Sequence, residues 1–273
     1  MSDHRWQTEA AFFDAVSYND APYSEVSLKR YLELQKPYHS PEYFYSVMGK
    51  LKGKTVLDIG CGSGDTSLVL AAHGADVLGI DLSAKAISAA QRRANRHSFA
   101  GNLRFECQPL ESYVITAKEK FDIICGHSIL HHLLPVLGEF LNQSKKLSNP
   151  WTQFVFLEPM ATSEFLRKLR LKLPVSMHGT EGERPLNKKD LKIISEHLPA
   201  IEVTYFECFN RFTKFCLNSQ NYEDSHVLPR RLYDTCGVLD RILLQKLKLT
   251  ALGSIAVLHT PQCAIEKRMT ATV

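Results

Sequence analysis

Thr55-Val56-Leu57-Asp58-Ile59-Gly60-Cys61-Gly62-Ser63-Gly64-Asp65 is the stretch that decides the fold of this 273-residue chain. Val56, Leu57 and Ile59 form a short apolar run, the composition of a strand buried inside a parallel sheet. Gly60, Gly62 and Gly64 follow at alternate positions. Glycine accepts positive φ and lets a ligand come against bare backbone. Thr66 to His73 reads as a helix with an apolar stripe of Leu68, Val69, Leu70 and Ala71. The glycine loop therefore lies between a strand and a helix N-terminus, a standard place to bind a nucleotide-like ligand.

A second strand, Asp76-Val77-Leu78-Gly79-Ile80-Asp81, ends in an acid. An acid about 20 residues beyond the first glycine can accept both hydroxyls of a ribose. Dinucleotides require G-x-G-x-x-G, and here the last position is Asp65. A carboxylate at the start of this helix repels a pyrophosphate, and Asp58 is read as a second acid facing the same pocket. Such a pocket suits a cation better than a diphosphate. VLDIGCGSG, then GIDLS, then FDIICGHSILHH resemble motifs of the class I S-adenosylmethionine-dependent methyltransferases, specifically over roughly residues 53–160. The resemblance implies a doubly wound, Rossmann-like, seven-stranded and mostly parallel α/β sheet with helices on both faces. It implies S-adenosylmethionine as cofactor and no metal. On these motifs the cofactor-binding residues are Asp58, Gly60, Cys61, Gly62, Gly64, Asp81, Leu82, Gln108, Leu110, Gly126 and His127. Many relatives carry an Asp for the adenine amino group in the loop Gln108-Pro109-Leu110-Glu111. This chain lacks it, which leaves Gln108 or Glu111 as the acceptor.

Composition narrows the class. The seven cysteines (61, 107, 125, 208, 216, 236, 263) show no C-x-x-C and no metal-ligand spacing, which fits reduced thiols in a cytosolic protein. Met1 to Ala10 is polar, unlike a signal peptide, and no apolar run approaches the ~18 residues of a membrane span. A cytoplasmic location is expected. Net charge is +4, unevenly spread: residues 1–160 carry 16 Lys and Arg against 17 Asp and Glu, the remainder 17 against 12. A basic second half suits an ordinary solvated surface, an anionic lipid surface or an anionic substrate.

The chain divides into residues 1–52, an N-terminal helical lid; 53–160, the cofactor half; 161–262, the substrate half; and 263–273, a flexible tail. Helices are predicted at Thr8–Val16, with Ala11, Phe12 and Val16 on one face, at Ser27–Gln35 and at Glu42–Met48. Tyr18 and Tyr31 are candidates for the methionine carboxylate or the substrate. Ser83 caps a helix from Ala84 to about Arg96. Strands follow at Leu103–Cys107, Phe121–Gly126 and Phe154–Pro159. At the C-terminal edge of the fourth strand, His131 and His127 are candidate general bases, although Leu-His-His also serves relatives of other chemistry by shaping this loop. Glu158 is a base, an orienter of a substrate amine, or a partner for Arg167 or Arg170. Arg184, in a charged loop, is a candidate anion clamp. Asn187 caps a helix over 188–198, Ile201–Phe209 is the sixth strand, and a helical insertion at about 210–250 precedes the last strand, Ser254–His259. Phe209, Phe212, Phe215, Tyr222 and Tyr233 are predicted to line its underside.

Within the resemblance, the missing Asn/Asp-Pro-Pro-aromatic and Pro-Cys patterns disfavour a nucleic-acid base as acceptor, and the missing metal constellation argues against the divalent-dependent catechol type. The expected reaction is methyl transfer to oxygen, with nitrogen or carbon open, on a small apolar metabolite. The alternatives are a peripheral-membrane enzyme acting on a lipid-linked or quinone-like acceptor, and a binding protein of this fold that does not transfer methyl. Oligomeric state is not readable from the residues.

Overall fold

A computed structural model describes residues 3–15, 18, 39–99, 101–161, 163, 183–213 and 227–261. Seven strands form one sheet: β1 (Thr55–Ile59), β2 (Asp76–Asp81), β3 (Leu103–Cys107), β4 (Phe121–His127), β5 (Ser148–Pro159), β6 (Glu202–Phe206) and β7 (Ile255–His259). Their order is β3-β2-β1-β4-β5-β7-β6. β7 runs antiparallel to both β5 and β6, and the other pairs are parallel. The order reverses between β1 and β4, so their C-terminal ends open the crevice in which such sheets bind ligands.

β1 is central because its residues suit burial on both faces. Leu57 and Ile59 pack in one layer with Leu78, Ile80, Ile124 and Phe156. Val56 packs in the other with Val77, Ile123, Cys125 and Val155. The first layer is completed by α5 (Leu110–Thr116), α6 (Leu137–Lys146) and α7 (Lys188–His197), through Leu110, Phe140, Leu141 and Ile194. The second is completed by α2 (Ser40–Ser46) and α3 (Asp65–Ala72), through Phe44, Tyr45, Val69 and Leu70. α4 (Ala84–Ala94) begins at Ser83, whose hydroxyl accepts from the Ala86 N–H as expected of a cap.

The N-terminal helix α1 (Asp3–Ala15) starts earlier than the sequence pattern indicates. Asp14 ties it down by accepting from the Ser83 hydroxyl at 2.5 Å and the Lys85 N–H at 3.1 Å. This turns Trp6, Glu9 and Phe13 toward the sheet's open edge and leaves Ala11 exposed, so the inward face differs from the predicted Ala11–Phe12 face. The helix predicted at Ser27–Gln35, Val16, Tyr31, Arg167, Arg170, Phe215, Tyr222 and the tail lie outside the described residues, as does the side chain of Phe212.

Two strands differ in length from the prediction. β5 starts at Ser148 because Ser148 pairs with Phe121 across a bulge, and the Thr152 hydroxyl bonds to the Phe121 carbonyl. β6 stops at Phe206 because Glu207 takes φ +61°. The next three backbone N–H groups, of Cys208, Phe209 and Asn210, then donate to the Asp240 carboxylate at 2.8–3.0 Å. This turns the chain into α8 (Asn210–Thr213) and binds it to α9 (Val227–Arg241). A π-helical turn, Ile242–Lys246, continues α9 toward β7. The helical insertion therefore precedes the last strand, as the sequence indicates. Its aromatic underside is only partly realised. Tyr233 stacks on the buried His39 ring at 4.0 Å, whereas Phe209 is 47% exposed. Among the described residues, no helix is long and apolar enough to cross a membrane.

Candidate functional site

The loop Gly60–Gly64 is held from below by the Ile80 carbonyl, which accepts from the N–H groups of Gly60 and Cys61. Gly60 has φ +69°, and a Cβ there would stand 2.6 Å from Ile129 Cδ1. Gly62 has φ +53°, yet a Cβ there would meet nothing within 4 Å. The two glycines serve different needs: close packing under the loop at Gly60, and open backbone facing the cavity at Gly62. Asp81 fixes the arrangement. One of its oxygens accepts from the Gly62 N–H at 2.9 Å and the other from the Ser83 N–H at 2.8 Å. Burial raises its carboxyl above the usual range, and those N–H groups oppose the rise.

A cavity of about 200 Å³ opens beside the loop. Gly60, Gly62, Asp81, Leu82, Gln108 and Leu110 line it, together with Glu111 and Tyr18, so most of the predicted cofactor residues converge. The Gln108 amide donates to Glu106 Oε2 at 2.5 Å, which leaves its carbonyl oxygen as an acceptor. The Tyr18 hydroxyl donates to the Phe13 carbonyl at 3.0 Å, and burial raises its pKa. Tyr18 shares the wall with Asp81 and Leu82. Trp6 and Phe13 reach the wall as aromatics of the predicted N-terminal lid, whereas Glu9, Ser128, Ile129, Leu133 and Phe140 on the wall were not foreseen. Glu9 sits on α1 between those two aromatics, and an acid in that position breaks the apolar stripe by which a buried face is recognised.

Other predicted residues sit elsewhere. Asp58 lies under the loop, 1% exposed, and does not line the cavity. It accepts from the Ser67 hydroxyl at 2.6 Å. Burial pushes its carboxyl up to about 7, Ser67 pulls it partly back, and the charges of Asp81 and Asp65 add to the rise. Asp65 pairs with Arg93 at 2.8 Å. Cys61 is buried and its thiol pKa is pushed well up. Gly64 precedes α3, and Gly126 admits Ile129 and the Ile59 carbonyl, since a Cβ there would stand 2.6 and 2.9 Å from them. Neither lines the cavity. His127 is exposed at the end of β4, its ring 6.2 Å from Phe44 on the opposite face of the sheet.

The Glu158 carboxylate is fully buried and committed. It accepts from the backbone N–H groups of Ile129 at 2.8 Å, Leu130 at 2.7 Å and His131 at 3.4 Å, and its Oε2 lies 2.9 Å from His131 Nδ1. A carboxylate at the end of β5 thus anchors the loop after β4. Bound by four groups and away from the cavity wall, Glu158 is not available as a base. Arg184 is likewise spent inside the fold. Its guanidinium holds Asp190 at 2.6 and 3.0 Å, a buried acid that also closes the capping box with Asn187 at the start of α7. It is no anion clamp. His132, rather than the predicted His131, lines the cavity, with its Nδ1 2.7 Å from Glu183 Oε1. The sequence reading finds no three-residue metal constellation, but the fold makes one: His131, His132 and Glu183 offer donor atoms all within 4.8 Å of one another. Spacing could not reveal it because Glu183 arrives from a distant part of the chain.

The residues present fit an adenosyl ligand. The half-buried Asp81 carboxylate keeps lone pairs beyond the N–H groups of Gly62 and Ser83, bare backbone stands beside it, and Ile80, Leu82 and Leu110 give an apolar slot. A methyltransferase-domain family model matches residues 50–197. Among curated proteins, a ubiquinone biosynthesis O-methyltransferase of Coxiella burnetii is 42% identical over 83 residues, 30% of this chain and 34% of that protein. The similarity thus spans about a third of that relative's length. Among solved structures, a geranyl diphosphate C-methyltransferase of Streptomyces coelicolor covers 96% of this chain and 100% of its own, at TM-score 0.56 and 10% identity. Magnesium protoporphyrin IX methyltransferase of Synechocystis, with S-adenosylhomocysteine bound, covers 93% and 97%, at TM-score 0.53 and 17% identity. Those likenesses establish the fold. Together with the family match over more than half of the chain, they establish that it belongs to the methyltransferase-domain family, as a class I S-adenosylmethionine-dependent methyltransferase.

Proposed function

We propose that this methyltransferase acts on an oxygen of a small, apolar acceptor. The observation that carries the reading is the cavity wall beyond the glycine loop, where Trp6, Phe13, Ile129, Leu133 and Phe140 supply an apolar surface and His132 a single imidazole. Such a wall favours an apolar molecule and excludes water from the reacting atoms. The Coxiella relative, named an O-methyltransferase of ubiquinone biosynthesis, supports oxygen as the target. S-Adenosylmethionine supplies an electrophilic methyl group. In this reading Asp81 holds the ribose hydroxyls, Gly60 and Gly62 give backbone contact, Leu82 and Leu110 flank the adenine, and the Gln108 carbonyl accepts from its amino group. α1 acts as the lid, and His132 takes up the proton that the acceptor hydroxyl gives up. The test is to incubate the protein with methyl-labelled cofactor and an extract of the source cell, then partition the label. Label in the organic phase is expected. Label in the macromolecular fraction would overturn the reading.

A second reading, an acceptor held in a lipid surface, draws on α9 and the turn after it. Leu228 is 78% exposed, Leu247 60% and Val227 57%, with Leu232, Val238, Leu239, Ile242 and Leu249 also exposed. Arg230, Arg231, Arg241, Lys246 and Lys248 are interspersed among them. Apolar side chains among cations are the pattern of a helix lying on an anionic membrane. Co-sedimentation with anionic vesicles at low salt is the measurement, and no pelleting ends this version.

A further inference from the structure

We infer that His131, His132 and Glu183 form a binding site for a divalent transition-metal ion of the zinc class at the edge of the cofactor cavity. Two imidazoles and one carboxylate are the donor set that such ions prefer over magnesium or calcium. The three side chains are partly buried, at 15%, 14% and 11% exposure. Their donor atoms lie within 4.8 Å of one another. A tetrahedral shell at ordinary zinc–nitrogen distances needs donors about 3.3 Å apart, so modest side-chain rotation closes the site.

Three features set this cluster apart from a chance meeting of polar groups. First, Glu158 bonds to His131 Nδ1, which directs the lone pair of that ring to Nε2. A carboxylate behind the imidazole is the usual outer support of a metal-binding histidine, and here it is itself fixed by three backbone N–H groups. Second, the two rings are held 4.0 Å apart, inclined by 39°, on a single 3₁₀ turn, Leu130–His132. Third, Glu183 is delivered by a fixed backbone. Leu186 makes a parallel bridge with Met160, its N–H donates to the Pro159 carbonyl at 2.9 Å, its carbonyl accepts from the Ala161 N–H at 2.8 Å, and Arg184 is locked to Asp190. An ion in this site keeps its remaining positions for the cavity, since His132 lines the wall. With an ion bound, His132 would serve as a ligand in place of proton acceptor, and a hydroxyl bound there would lose its proton to solvent more readily. That last consequence rests on the proposed oxygen acceptor, whereas the site itself does not.

The test uses the full chain, freed of any affinity tag and stripped with a chelator, and Co²⁺ as probe. Visible d–d absorption reports coordination without acceptor or cofactor, so its failure is separate from failure of the methyl-transfer reading. The wild type should take up one equivalent, displaced by Zn²⁺. His132→Ala and Glu183→Gln should each weaken binding by at least about 10-fold, and Glu158→Gln by about 10- to 100-fold through the outer support. His127→Ala, away from the cluster, should leave it unchanged. Circular dichroism establishes that each variant is folded. Absence of stoichiometric binding by the wild type, or equal affinity in folded Glu183→Gln and His132→Ala proteins, would overturn the site.

Discussion

Asp58→Asn tests the electrostatics beneath the glycine loop. Asp58 is 1% exposed and burial lifts its carboxyl from an ordinary 3.8 to about 7. The folded protein therefore binds this proton more tightly than the unfolded chain does. Stability falls as pH rises from the unfolded value through the folded one, and levels off above it. With those two values the ionised group costs about 4 kcal/mol at pH 8 but only about 1.5 kcal/mol at pH 5. Asparagine keeps an oxygen for the Ser67 hydroxyl and removes the charge. Whatever fixed cost its amide brings is the same at every pH, so the change between pH 5 and pH 8 isolates the carboxylate. Urea unfolding of both proteins, without cofactor, should show the variant gaining about 2.5 kcal/mol on the wild type across that interval. A gain below about 1 kcal/mol would refute a buried, titrating Asp58.

Other substitutions separate the remaining roles. Asp81→Ala should weaken S-adenosylmethionine binding by about 2–4 kcal/mol, on the order of 30- to 1000-fold by calorimetric titration, through lost charge-assisted hydrogen bonds; unchanged affinity would remove Asp81 from the site. Gly62→Ala should cost about 1–2 kcal/mol of stability for its positive φ. Gly60→Ala should cost about 2–4 kcal/mol, because Ile129 must also give way, and equal losses in the two would contradict their division of labour. Glu158→Ala should destabilise by about 3–5 kcal/mol by stranding the buried N–H groups of Ile129 and Leu130; a thermal melt within a degree of wild type would mean the loop is held otherwise.

The parts legible in the sequence were those whose signal is local. The β1 run, its glycines and the acid ending β2 declare themselves within 30 residues, because strand, turn and ligand contact are made by neighbours in the chain. Ser83 and Asn187 were readable as caps for the same reason. What remained hidden depends on partners brought from afar. β6 ends early because Asp240, on α9, captures the backbone after Glu207. Glu158 was open between a base, an orienter and a partner of Arg167 or Arg170, and nothing in its neighbourhood predicts that the turn after β4 aims three N–H groups at it. Arg184 is the exception: its partner Asp190 is only six residues on, yet no motif marks the pair and the residue reads equally as an anion clamp. Asp58 was read as facing the pocket, yet along β1 it shares its side with Val56, away from the ligand face of Ile59.

The bridge between Met160 and Leu186 has a consequence for how such an enzyme changes its substrate. Chain that leaves the sheet after Ala161 returns at Leu186 to a position hydrogen-bonded to its own departure point. The two ends are thus joined by the bridge beside the sheet. Lengthening a segment with joined ends costs little, about 0.6 kcal/mol for each doubling. The interval is therefore a cassette. A change in its length would leave in place the half that carries Asp81 and the glycine loop, and Glu183, three residues before the clamp.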